Sequence, residues 1–406
     1  MKALQRKKHI AGKQTQRAHH SAAQPSLPGQ VVLVLQGGGA LGAYQIGVYQ
    51  ALHEAGIEPH WVIGTSIGAI NGALIAGNPP HQRLERLHAF WKRVEQNPGG
   101  PLAAFWFSLL GNASINWLTL AGGIPAFCVP NPMAVLGQHA QVGVENAAYY
   151  LTTPLRGTLA GLLDLDYLNE RHTRLSLGAV KVCSGEMRYF DSRNEPITMD
   201  HIMASGALPP AFPAVRIDGE LYWDGGIYSN TPIEAVLDDH PRRNSLIFAV
   251  DVWRPDGPAP DTLWQVVGRE KDIKYSSRAN NHIARQKQIH HLRHVILGLA
   301  KAMPEKLRNS QEIKELASWG CQTTMHVVRL VASGISGEDQ MKDIDFTRAG
   351  IQARRQAGYD DTRHMLDDAP RSRPVDPIEG VIIHDTMSGA PLPLGGGVDG
   401  FAGRTK

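Results

Sequence analysis

The hydrophobic pattern of the chain becomes regular at Val31-Val32-Leu33-Val34-Leu35, an unbroken aliphatic run of the kind that forms a strand buried on both faces. Gln36-Gly37-Gly38-Gly39-Ala40-Leu41-Gly42 interrupts it. Tyr44, Val48, Leu52 and Ala55 then recur at helical spacing, and Gly56 is a natural C-terminal stop. A second apolar run, His60-Trp61-Val62-Ile63, leads into Gly64-Thr65-Ser66-Ile67-Gly68 and a small-residue helix over 69–76. Strand, turn, helix, strand, turn, helix is the order of a parallel sheet covered by helices. The expected fold class is therefore α/β, a three-layer α/β/α arrangement around a mostly parallel sheet.

Residues 98–165 do not follow this rhythm. They are rich in Gly, Leu and aromatics, with Phe105, Trp106, Phe107, Trp117 and Phe127 close together, and read as an apolar helical insertion or lid. Strand signals return at 177–183, at 187–190, at Leu221-Tyr222-Trp223 before Asp224-Gly225-Gly226, at 246–252 and at 325–331. Residues 265–307 alternate basic and apolar positions and predict two helices; 346–366 predict a last amphipathic one. The globular unit is thus expected over 30–366, between a basic arm (1–29) and a Pro/Gly-rich flexible tail (367–406). No internal repeat is visible.

Composition changes this picture little. Of 406 residues 42% are hydrophobic and 19% charged, which suits a soluble globular protein with a sizeable core. A net charge of +3 gives no reason to expect nucleic acid. The first 30 residues carry Lys2, Arg6, Lys7, Lys8, Lys13 and Arg17 with no acidic residue, and no apolar core of a secretory signal. The arm reads as a solvated tail, with loose attraction to anionic headgroups as its functional alternative. The basic stretch Arg269, Lys271, Lys274, Arg278, Arg285, Lys287 and Arg293 is likewise a solvated helix face or a membrane-facing surface. Cys128, Cys183 and Cys321 are odd in number and lack metal-ligand spacing, which fits a reducing, cytoplasmic setting. The apolar stretches are broken by Pro, Gly and Asn, so none predicts a membrane span.

Three motifs carry chemistry. Gly64-Thr65-Ser66-Ile67-Gly68 lies between a strand and a helix, where a serine sits on a strained turn at the carboxyl end of the sheet and the helix N-terminus points at it. Gly37-Gly38-Gly39 leaves backbone N–H groups uncovered, able to bind a developing oxyanion, with the Ile67 N–H as the customary further donor. Asp224-Gly225-Gly226 places a carboxylate at a tight turn after a strand.

Other readings exist for each. Gly37-x-Gly39-x-x-Gly42 also fits a dinucleotide-binding turn, which requires an acidic residue at the end of the second strand; Glu58 precedes that strand instead. Ser66 also fits the order of a Ser-Asp-His triad, with Asp251 as the acid and His282, His290 or His291 as the base. A non-enzymatic membrane-associated scaffold would keep the fold alone.

Taken together and in this order, the motifs resemble the patatin-like phospholipase family. Ser205-Gly206-Ala207-Leu208-Pro209-Pro210-Ala211-Phe212-Pro213 is similar to that family's Pro-rich segment before the aspartate. The Ile227-Tyr228-Ser229-Asn230-Thr231-Pro232 continuation is also familial. The resemblance covers 31–236 and extends to about 366. It implies Ser66 as nucleophile, Asp224 as the base of a Ser-Asp dyad, and an oxyanion hole from Gly37, Gly38, Gly39 and Ile67. Gly42, Gly64, Gly68, Gly225 and Gly226 support the turns. The implied partner is a lipid ester, met by peripheral contact with a membrane surface, and no metal or organic cofactor is implied. Leu41 departs from the family pattern, which has Arg or Lys there; a lost cation weakens contact with an anionic headgroup.

Overall fold

The computed structural model describes residues 27–96, 122–335, 338, 340–368 and 379–385. Most of the expected basic arm, most of the tail, and Phe105, Trp106, Phe107 and Trp117 lie outside them.

The chain begins β1 (Gln30–Leu35), α1 (Ala43–Glu54), β2 (Trp61–Gly64), α2 (Ile67–Ala76), α3 (Pro80–Val94). A short antiparallel ribbon, β3 (Val129–Pro130) with β4 (Tyr150–Leu151), precedes α4 (Thr153–Ala160) and α5 (Leu165–Asn169). Next come β5 (Arg174–Lys181), β6 (Met187–Asp191), α6 (Met199–Ser205), β7 (Val215–Ile217), β8 (Glu220–Asp224), α7 (Glu234–Leu237) and β9 (Ser245–Asp251). Then α8 (Leu263–Ala302), α9 (Glu305–Arg308), α10 (Gln311–Ser318), β10 (Met325–Val331), α11 (Arg348–Asp368) and β11 (Val381–Asp385) complete it.

The main sheet runs β11-β10-β9-β1-β2-β5-β8-β7, with β6 also on β5. Every pair from β11 to β5 is parallel. The pairs β5–β6, β5–β8 and β7–β8 are antiparallel. Side chains alternate across β1 as a strand buried on both faces requires. Val31, Leu33 and Leu35 join the cluster with α1, α2 and α11; Val32 and Val34 join the one with α7 and Ile283 of α8. Helices therefore cover both faces, and the expected three-layer α/β/α class is what the chain adopts.

One strand sets the geometry of the site. The first half of β5 (Arg174 to Leu177) pairs with β2, and Ala179 to Lys181 pair with β8 on the same edge, since β6 occupies the other. The end of β8, antiparallel, is thereby delivered just past the end of β2.

Residues 265–307 hold the two expected helices, divided unequally at Pro304 into the 40-residue α8 and the short α9; Thr262 and Gln265 close the start of α8 as a capping box. One expectation needs correction: the domain does not stop near 366. Within the tail, Val381-Ile382-Ile383 supplies the β-branched residues of an edge strand in register with Met325 to Val327 of β10.

Candidate active site

Ser66 terminates the turn between β2 and α2 with φ 57° and ψ −127°, a left-handed conformation that a non-glycine residue holds only when its surroundings impose it. Its N–H donates to the Ser205 carbonyl at 3.0 Å, and the Ser205 hydroxyl donates to the Gly178 carbonyl at 2.6 Å. Crossing of α2 over β1 completes the elbow. A side chain at Gly68 would collide with the Leu35 carbonyl, and one at Gly64 with the Gly68 backbone. Gly42 fills the same role against the Ile67 side chain.

Asp224, at the end of β8, is 1% exposed. Burial pushes its pKa up to about 7, against the pull of the nearby Ser66 hydroxyl and the Gly226 N–H, which donates to Oδ1 at 2.7 Å. Its other oxygen, Oδ2, is buried and closes no hydrogen bond among the described residues. Gly225 lets the turn lie directly on the Gly178 backbone of β5.

The glycine loop is held from behind. Gly37 is engaged on both sides: its N–H donates to the Asn230 carbonyl at 3.2 Å, and its carbonyl accepts from Trp253 Nε1 at 2.9 Å and Asn230 Nδ2 at 3.1 Å. The expected contribution of a Gly37 N–H to the oxyanion hole is therefore corrected: that donor is already committed. The N–H groups of Gly38, Gly39 and Ile67 donate to no group among the described residues. Gly39 has φ +55°, and the Asp343 carbonyl lies where a side chain would stand.

Several supporting residues carry no local motif and escaped sequence reasoning. Gln36, 1% exposed, donates to Thr231 Oγ1 at 2.7 Å and accepts from the N–H groups of Val252 at 2.5 Å and Trp253 at 2.9 Å. Gln45 donates to the Gln36 carbonyl at 2.7 Å, Asn71 to Gln45 at 2.8 Å, and Trp91 to Asn71 at 3.0 Å. This buried polar chain fixes the loop from the side opposite the cleft. The only sequence signal for it was polar residues inside otherwise apolar helices.

Ser66, Asp224, Gly38, Gly39 and Ile67 open into one cleft with about 1090 Å³ of empty space, open solvent at its mouth included. Its walls are mostly apolar. Phe127 lies 5.8 Å from Phe212 and 6.3 Å from Phe346, and Tyr150 lies 6.4 Å from Phe212, ring centre to ring centre. Ile124, Phe127, Cys128 and Tyr150 come from the 98–165 insertion.

The competing arrangements are not assembled. Asp251 accepts from Thr231 Oγ1 at 2.9 Å and pairs with Arg329 at 2.8 Å. His282 faces Glu234 at 3.3 Å, His290 meets the Leu237 carbonyl at 3.0 Å, and His291 is exposed. No histidine lines the cleft among the described residues. Glu58 sits at the amino end of β2, tied to Arg83 at 2.6 Å, far from a role at the glycine loop. Leu41 is buried in the core.

A mostly parallel sheet thus brings a strained serine elbow, a glycine loop and a buried aspartate together at one end. The profile described as "Patatin-like phospholipase" matches residues 33–237, and one described as "Patatin phospholipase" matches 273–378. The chain belongs to the patatin-like phospholipase family. It is 63% identical over 46 residues to "Lysophospholipase nte1" of Aspergillus terreus (11% of this chain, 3% of that protein). It is 26% identical over 255 residues to "Lysophospholipase NTE1" of Eremothecium gossypii (60% and 14%). The chain thus spans a small part of the length of the curated relatives it matches. Among solved structures, VipD from Legionella pneumophila aligns with TM-score 0.35 at 16% identity, covering 84% of this chain and 67% of that one.

Proposed function

We propose that the protein is a lipid-acyl hydrolase that cleaves carboxylic esters through a Ser66–Asp224 dyad. The observation that carries this reading is a buried carboxyl of pKa about 7 sharing an apolar cleft with a serine held at positive φ. A serine hydroxyl needs a base to become a useful nucleophile, and a carboxylate near pKa 7 is a far better base at neutral pH than an ordinary aspartate.

Ser66 Oγ attacks the ester carbonyl as its proton passes to Asp224. The oxyanion so formed is met by the N–H groups of Gly38, Gly39 and Ile67 at the N-terminus of α2; each such donor is worth roughly 2.7–4 kcal/mol in the transition state. Collapse expels the alcohol, which takes the proton from Asp224 and leaves an acyl-Ser66. Asp224 then accepts a proton from water, the hydroxide attacks the acyl carbon, and the returning proton releases Ser66. Ile124, Phe127, Cys128 and Tyr150 form one wall of the acyl site. The names of the relatives point to lysophospholipids as the first substrates to try.

Exposed apolar residues favour contact with a lipid surface. Leu263, Trp264, Val266 and Val267 stand out at the start of α8, and Val135 and Leu136 on the loop before β4. No helix among the described residues is long and apolar enough to cross a membrane. Free Cys128, Cys183 and Cys321 suit a cytoplasmic setting.

Hydrolysis of a nitrophenyl ester and of lysophospholipids by the purified protein tests the reading. Ser66→Ala and Asp224→Asn should each lower kcat/KM by at least about 10³-fold. Full activity in either variant refutes the dyad.

A further inference from the structure

The oxyanion loop has a second support, and it comes from the part of the chain beyond the motifs. Between β10 and α11 the described residues include a short 3-10 turn, Lys342–Ile344, and this turn lies on the glycine loop: the Asp343 carbonyl covers Gly39, and Asp343, Ile344 and Phe346 line the cleft. Two reciprocal ion pairs fasten the turn to α8. Lys271 Nζ meets both carboxylate oxygens of Asp343, at 2.9 and 3.0 Å, and also the Gln340 carbonyl at 3.2 Å. Lys342 Nζ meets Asp272 at 2.7 Å. Neighbouring residues on each element thus carry opposite charges, and each finds its complement on the other.

These pairs are partly buried, with Lys342 and Asp272 side chains only 12% and 16% exposed, so salt screens them less than an ordinary surface pair. They also reach the loop by a second route. The Lys342 ammonium stands 5.5 Å from the Trp253 ring centre, and Trp253 Nε1 holds the Gly37 carbonyl. Lys271 and Lys342 therefore act on both ends of Gly37-Gly38-Gly39.

We propose that the crossed pairs Lys271–Asp343 and Lys342–Asp272 form a latch that sets the oxyanion loop, making Lys271 and Asp343 positioning residues for the reaction and α8 the element through which the site is controlled. The proposal rests on the hydrolase reading given above. Misplacing a donor by about 1 Å costs up to about 10²-fold in rate, while the cleft residues on other elements, Ile70, Ile124, Phe127, Tyr150 and Phe212, remain to bind the acyl group. Opening the latch should therefore act on kcat and spare KM.

The test is a charge exchange. Lys271→Asp and Asp343→Lys should each lower kcat on a soluble nitrophenyl ester about tenfold with KM within twofold, and the K271D/D343K double variant should restore kcat to within about threefold. Amide hydrogen exchange at Gly38 to Leu41, read by mass spectrometry, should quicken in each single variant and slow again in the double. Should a charge-reversed single variant fail to fold, the neutral Lys271→Met and Asp343→Asn take its place, with the same direction expected for kcat and exchange. Single variants with kcat and loop exchange at parental values overturn the latch, as does a double variant that stays as impaired as the singles. A parent that hydrolyses no ester defeats the hydrolase reading; the exchange measurement then decides the latch alone.

Discussion

A carboxyl whose pKa climbs from 3.8 in the unfolded chain to about 7 when folded binds its proton more tightly in the native state. Between those values the folded protein holds a proton that the unfolded chain has lost, so this group's contribution to stability falls as pH rises through that window. Above pH 7 the accumulated loss is roughly 4 kcal/mol. In the proposed dyad Asp224 therefore stabilises least where it would serve best as a base. Two expectations follow at this one residue. In the parent, kcat/KM should fall about tenfold per pH unit below 7 and level off above 8, since only the ionised form accepts the Ser66 proton. In Asp224→Asn the hydrolysis should vanish while the melting temperature exceeds the parent's at pH 8 and matches it near pH 4. A variant no more stable than the parent at pH 8 would show that Asp224 is not desolvated as described.

At the scale of elements, β11 closes an edge that β10 would otherwise present to solvent. Ending the chain after residue 378 removes Val381, which is fully buried, and frees the ladder of β10. A melting temperature lower by about 5 °C or more, with aggregation on heating, is the expected result; an unchanged melting curve would make the strand dispensable. The same strand marks the limit of what could be read from sequence. Ser66 and its glycines were legible because an elbow is local: strand, turn and helix signals stand within a few residues. Five residues inside a Pro/Gly-rich tail give no periodicity, and their strand exists only because β10 offers a partner. Asn230 and Trp253 hold Gly37 through tertiary contacts that no spacing announces. The Gly37 N–H shows the converse: a motif located the loop, but only the fold reveals which of its donors are free.

For the molecule as a whole, the proposed catalysis and the proposed contact with a lipid surface fall on different groups. Leu263 and Trp264 lie outside the cleft, so Leu263→Glu with Trp264→Glu should reduce co-sedimentation with zwitterionic vesicles severalfold and leave turnover of a soluble ester within twofold. Equal vesicle binding by parent and variant would remove α8 from the contact.

The division of β5 between two neighbours has a consequence for how the enzyme comes into being. The elbow bearing Ser66 belongs to the locally connected unit of β1, α1, β2 and α2, whereas Asp224 arrives on a strand far along the chain, placed by pairing with Ala179, Val180 and Lys181 of β5, by pairing with β7, and by its own N–H donating to the Ala207 carbonyl at 3.0 Å. A slip of one residue along β5 would turn the carboxyl to the opposite face of the sheet. Under the proposed dyad, a chain that has not found that register carries Ser66 without its partner carboxylate, so hydrolytic competence would depend on correct assembly of β8 on β5.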